Sequence, residues 1–115
     1  MMAAIEHLVF SDRVCTFQEL CKAVDADFAG YEGLLALCRH APKYGMDDQR
    51  ADDHARRLMS TLLDVIDQEA VGSNGRKDVI SMNVTITDMR HIEEGAALKA
   101  TADGRLAGEP LSENL

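Results

Sequence analysis

Apolar positions recur at helical intervals over most of this chain and alternate only once. Ile5, Leu8 and Val9 share one helical face, so residues 2–10 are expected to form a short helix that continues a longer one before it. Ser11-Asp12 is a turn signal, and Arg13-Val14-Cys15 reads as a brief extended link. Thr16-Phe17-Gln18-Glu19 is a capping box. The Thr16 hydroxyl can accept from the Glu19 amide, and the Glu19 carboxylate from the Thr16 amide. The helix it opens is expected to run to about Phe28, with Phe17, Leu20, Cys21, Val24 and Phe28 on one face and Gly30 supplying the left-handed residue that ends it. Tyr31 to His40 repeats the helical period through Leu34, Leu35, Leu37 and Cys38, and Pro42 stops it. Asp47 or Asp48 caps the longest helix, residues 48–69, where acid opposes the positive end of the helix dipole. Its stripe runs through Ala51, Ala55, Leu58, Met59, Leu62, Leu63, Val65 and Ile66.

The helical period breaks at Val71-Gly72-Ser73-Asn74-Gly75-Arg76. From Val79 to Thr87 the chain alternates: Ile80, Met82, Val84 and Ile86 on one side, Ser81, Asn83, Thr85 and Thr87 on the other. That is the pattern of a half-buried strand. A lone strand leaves its backbone groups unpaired, so it calls for partners from outside the sequence. Asp88 to Leu98 reads as a short turn or helix, and residues 99–115 as a coil tail with a turn at Asp103-Gly104. The expected class is mostly α with one or two β-strands (α+β). The domain organisation is a single partial unit: 2–69 helical, 70–98 loop and strand, 99–115 coil tail.

Composition narrows the function. The chain has 115 residues, 46% of them hydrophobic but only 4% aromatic, so the core must be built from aliphatic and small side chains. A formal net charge of −8 argues against nucleic acid and anionic membranes as partners, since both select basic surfaces. The N-terminal stretch has neither a basic n-region nor a long apolar run. It reads as neither a signal peptide nor a membrane helix, and the expected location is cytoplasmic. The cysteines number three, with no CxxC spacing, which fits free thiols in a reducing compartment.

Few residues offer chemistry. Cys21 and Cys38 fall on apolar helical faces and are expected to pack as small hydrophobes, leaving Cys15 as the one candidate exposed thiol. Asp48 and Asp52, at i and i+4 with His54 nearby, could bridge a divalent ion, but acids also enrich a helix's first turn without binding anything. Gly72-x-x-Gly75 with Arg76 and Lys77 could cradle an anion but matches no phosphate-binding motif; a helix-to-strand loop is the plainer reading. Glu93 and Glu94 could serve as a base only within a pocket. No catalytic, cofactor-binding or metal-binding residue is assigned.

Two stretches carry a resemblance. Phe28-Ala29-Gly30-Tyr31-Glu32, followed by Ala41-Pro42-Lys43-Tyr44-Gly45-Met46-Asp47-Asp48, resembles the "NFEGYE … APKYGNDD" segment of glycyl radical enzymes. Ala100-Thr101-Ala102-Asp103-Gly104-Arg105-Leu106-Ala107-Gly108-Glu109-Pro110-Leu111 resembles that family's "GATPDGRRAGEPL". The order is the same, and Ile5 to Phe10 fits the segment upstream. The similarity is to the pyruvate formate-lyase (formate C-acetyltransferase-like) and glycerol or diol dehydratase-like branch. It implies a large α/β barrel of anaerobic metabolism, in which a glycyl radical passes to a cysteine that abstracts hydrogen from substrate. The radical is installed by a separate iron–sulfur activase using S-adenosylmethionine.

The chain departs from that pattern. The radical-bearing "RVSGY"-type loop and the "GC" cysteine loop are absent, none of the three cysteines matches the catalytic one, Met46 replaces Asn, and Ala102 replaces Pro. The resemblance implies that Arg105 pairs with a carboxylate in the parent barrel. The sequence thus suggests a fragment or split piece of a glycyl radical enzyme: a scaffold that is inactive alone, holds no cofactor, and has protein partners in the rest of the barrel or in itself. A stand-alone helical interaction module derived from that family is the alternative, and a small acidic metal-binding protein using Asp48 and Asp52 a third reading.

Overall fold

A computed structural model of the chain describes residues 1–69 and 89–112. The loop and strand expected over residues 70–87 lie outside the described residues. Within them every regular element is helical: α1 (Met2–Ile5), the π-helix π1 (Glu6–Ser11), α2 (Phe17–Asp25), α3 (Glu32–His40), α4 (Gln49–Glu69) and α5 (Arg90–Ala97). The mostly helical class therefore holds for the described residues.

The first helix changes register midway. After Ile5 the ladder widens to π spacing, and the Asp12 amide closes it on the His7 carbonyl at 2.9 Å. The link that follows is not extended. Arg13 is left-handed at φ 53°, which returns Val14 to donate to the Leu8 carbonyl at 2.8 Å. The capping box forms in full: the Glu19 amide donates to Thr16 Oγ1 at 3.2 Å, and the Thr16 amide to Glu19 Oε2 at 2.7 Å. The Thr16 amide and hydroxyl, both donating to the Glu19 carboxylate, hold that carboxyl below its ordinary range.

α2 ends earlier than its apolar spacing suggests, at Asp25. The left-handed residue that closes it is Asp27 at φ 50°, well before Gly30. The Phe28 amide donates to the Ala23 carbonyl at 2.7 Å and the Asp27 amide to the Val24 carbonyl at 3.0 Å, the paired bonds of a Schellman ending. Asp tolerates this conformation because its short polar side chain bonds locally or to a neighbour. The reversal swings Phe28 under the helix it has just left. Phe28 is 2% exposed and Leu20 1%. Around them close Ala4, Leu8, Ala23, Cys38, Ala41, Ala100 and Ala102. With so few aromatics, the core relies on alanines that let backbones approach closely.

The expected apolar faces are only partly covered. Phe17 and Cys21, placed on the buried side of α2 by spacing, are exposed, because the core that α2 packs against closes over Leu20 and Ala23 and, in part, Val24. On α4, Ala51 is 2% exposed where it meets α1, whereas Leu58, Leu62 and Val65 are 45–56% exposed further along the same stripe. No helix among the described residues is long and apolar enough to cross a membrane.

Candidate functional site

The segments that carry the sequence resemblance come together around the C-terminal end of α3. Lys43 folds back so that its Nζ donates to the carbonyls of Cys38 (2.9 Å), Arg39 (2.7 Å) and Ala41 (3.2 Å), groups a helix end leaves without partners. Burial holds its pKa below the ordinary lysine value, against the pull of Asp103 and Cys38. Arg39 Nε donates to the Gly104 carbonyl at 3.2 Å, and its guanidinium lies 3.8 Å from Glu109. Gly104 is dictated twice over: its φ is 88°, and a Cβ there would stand 2.6 Å from Arg39 Cγ and 2.9 Å from the Arg39 nitrogen.

Residues 99–111 are irregular, as expected, but they form a strap rather than a loose tail. Thr101 and Arg105 close a tight turn, with the Thr101 amide donating to the Arg105 carbonyl at 2.9 Å and the Thr101 hydroxyl to Asp103 at 2.6 Å. Burial pushes the Asp103 carboxyl up. The Thr101 hydroxyl, the amino terminus, its own amide and Lys43 outweigh that, and its pKa is lowered. Within the described residues Arg105 meets carbonyls, donating to Glu109 (2.6 Å), Gly95 (3.4 Å) and Lys99. Carbonyls at a turn and a helix end need donors, and a guanidinium supplies several in one plane. Gly95 permits the arrangement, since a Cβ would stand 2.5 Å from the Glu109 carbonyl oxygen. The far end of the strap is pinned to the reversal after α2, where the Ala107 amide donates to Asp27 Oδ1 at 2.8 Å.

The candidates for chemistry are not assembled. Asp48 caps α4 through the Arg50 amide at 3.0 Å and binds the Arg50 guanidinium at 2.7 and 3.0 Å, which lowers its pKa. His54 faces Glu6 at 3.8 Å and Arg57, and no group of three His, Cys, Asp or Glu suited to an ion stands together among the described residues. Glu93 and Glu94 are exposed on α5, and the Gly72–Lys77 stretch lies outside the described residues. Cys38 is buried, and that burial, with Cys15 and Asp103 nearby, pushes its thiol up to about 11 despite Lys43. Cys15 is half-buried rather than freely exposed; burial and then Glu19 raise its pKa as well. Neither thiol is activated as a nucleophile. Spacing did not find Asp27, Arg39 or Gly95. Asp-Phe directly after an amphipathic helix was an available signal for the first, while the other two depend on contacts across the fold.

These features define a class: a helical unit in which motifs from its middle and its end are clasped by main-chain hydrogen bonds, with the far half of one long helix left uncovered. The sequence profile described as pyruvate formate lyase-like matches residues 1–87. The chain belongs to this family, within the glycyl radical enzymes. It is 34% identical over 113 residues to isethionate sulfite-lyase of Desulfovibrio desulfuricans, covering 97% of this chain and 13% of that protein. It is 31% identical over 115 residues to trans-4-hydroxy-L-proline dehydratase of Clostridioides difficile, covering 99% and 14%. The B12-independent glycerol dehydratase from Clostridium butyricum, solved with glycerol bound, superposes with a TM-score of 0.74 at 28% identity over 97% of this chain and 14% of that one. The chain thus spans 13–14% of the length of these relatives.

Of the three cysteines, Cys38 is sealed in the core, Cys21 is exposed on α2, and Cys15 sits half-buried in the folded link with a raised pKa.

Proposed function

We propose that this chain is a structural segment of a glycyl radical lyase or dehydratase, packing against the rest of the enzyme and performing no reaction on its own. The observation that carries this reading is the uncovered half of α4. Leu58, Met59, Leu62, Leu63 and Val65 are each 39–56% exposed on one helix of a chain that matches only a small part of longer relatives. Contiguous apolar surface of this kind marks an interaction face. The partner is the remaining barrel of the enzyme, the location cytoplasmic, and the chain carries no cofactor of its own. The radical, and its installation by an activase, belong to the rest of the enzyme. The named relatives favour lyase or dehydratase chemistry over formate acetyl transfer.

A second reading has its own support. The Arg105–Gly95 and Asp27–Ala107 bonds close the described body on itself, which suits a module that folds alone and binds another protein. Thermal unfolding followed by circular dichroism, with sedimentation to fix the size, separates the two. The segment reading expects a broad transition with self-association that is suppressed by Leu62→Glu. A sharp transition from a defined monomer would overturn it in favour of the module.

A further inference from the structure

The cleft between π1 and the first turns of α4 plays no part in the packing role above. It is open, about 610 Å³, and lined by charged side chains. Their pairing is uneven. Arg50 is held by Asp48 at 2.7 Å, Arg56 by Asp53, and His54 faces Glu6 at 3.8 Å. Arg57 has no such carboxylate among the described residues. Its Nη2 rests 3.1 and 3.3 Å from the two ring nitrogens of His54. One N–H cannot aim at both, so the contact steadies the guanidinium over the imidazole and leaves its other donors unused. Arg57 is thus a cation of this cleft without a carboxylate partner among the described residues, on a chain of net charge −8. A guanidinium fork matches the paired oxygens of a carboxylate or phosphate. The widened π1 turn sets Glu6 and His7 on the opposite wall, and irregular helical turns of this kind often accompany sites.

We propose that this cleft binds a small oxyanion, a phosphate or carboxylate group, on the free donors of Arg57. Glu6 and Asp53 line the same cleft and oppose an anion, Asp53 being paired with Arg56, which makes the expected affinity modest. Hydrogen–deuterium exchange on the full chain, at constant ionic strength, compares inorganic phosphate and acetate with chloride. Exchange is expected to slow saturably in residues 3–11 and 50–57. Arg57→Gln should weaken the response about ten- to a hundredfold, the loss expected for a charge-assisted hydrogen bond, and Arg13→Gln should leave it unchanged. Slowing by phosphate alone assigns the cleft to phosphoryl groups; slowing by both anions assigns it to carboxylates as well. No saturable change with either anion, or an equal change in Arg57→Gln, overturns the proposal. The readout is local and needs no cooperative unfolding, so its failure is distinct from any result of the sedimentation experiment.

Discussion

The two ends of α4 carry similar side chains in dissimilar surroundings. At its start Ala51 is sealed against α1, Asp48 caps the free amides, and Arg50 clamps the cap. From Leu58 onward the same apolar stripe continues along the helix and meets little: Leu58 is 56% exposed and Val65 52%. A stripe at helical period reports that a face will be buried. It does not report whether the covering group lies in the same chain. In this protein the covered end belongs to the clasped body, and the uncovered end points to a partner.

The sharpest way to test that contrast is to truncate one large apolar side chain in each region. Phe28→Ala empties the site that the Asp27 reversal fills and is expected to cost about 3–5 kcal/mol, the usual range for a buried Phe. Leu62→Ala, on the uncovered stripe, should stay within about 0.5 kcal/mol in the isolated chain, as surface changes do. Chemical denaturation of both variants checks the pair. Comparable losses would mean that the stripe is covered within this chain after all.

Next in size is the strap. Gly104→Ala asks a side chain to adopt φ 88° and to occupy space held by Arg39. A loss of about 1–3 kcal/mol is expected from backbone strain alone, read as a fall in the denaturation midpoint at unchanged slope. Arg105→Lys should follow. A point ammonium replaces the planar fork that spans the Gly95, Lys99 and Glu109 carbonyls, and because the Lys99 and Glu109 contacts are exposed to water a loss of about 0.5–1.5 kcal/mol is expected. If the strap were the loose tail its composition suggests, both substitutions would be silent.

That difference shows where the sequence was informative. Helix positions, the Thr16 cap, the stop at Pro42 and the irregularity of residues 99–111 follow from local rules that act within a few residues, and the described residues agree. The motifs identified the family, because their order and spacing exceed what packing alone demands. What stayed hidden was long-range. Nothing near Gly95 announces that Glu109 will lie against it, nor does α3 announce that Arg39 will cover Gly104. Cys21 was misplaced for the same reason: its spacing matches Leu20's neighbourhood, but no element of the described structure reaches over it. Asp27 is intermediate, a local Schellman signal hidden by the more conspicuous Gly30.

The smallest expected effect isolates the most legible element. Thr16→Ala removes the hydroxyl that accepts the Glu19 amide, and loss of such a cap costs about 1 kcal/mol. The same box gives a direction with pH. The Thr16 amide and hydroxyl depress the folded-state pKa of Glu19, and Arg50 depresses that of Asp48. A carboxylate whose pKa is lowered on folding contributes stability above its unfolded value. That contribution is lost as pH falls through the folded value. Stability should therefore be level above about pH 5 and decline below about pH 4, where unperturbed carboxylates protonate. In Thr16→Ala, Glu19 keeps the backbone donor but loses the hydroxyl, so the acid decline should be shallower than in the parent. Equilibrium denaturation of both chains from about pH 5 down through the acid decline measures the difference. Because both carboxylates sit on the surface, added salt should shrink the Asp48–Arg50 part of the decline and leave the capping part largely in place. A decline equally steep in the two chains would place the acid-sensitive group elsewhere, with Asp103 in the strap, whose pKa is also lowered, the next to replace.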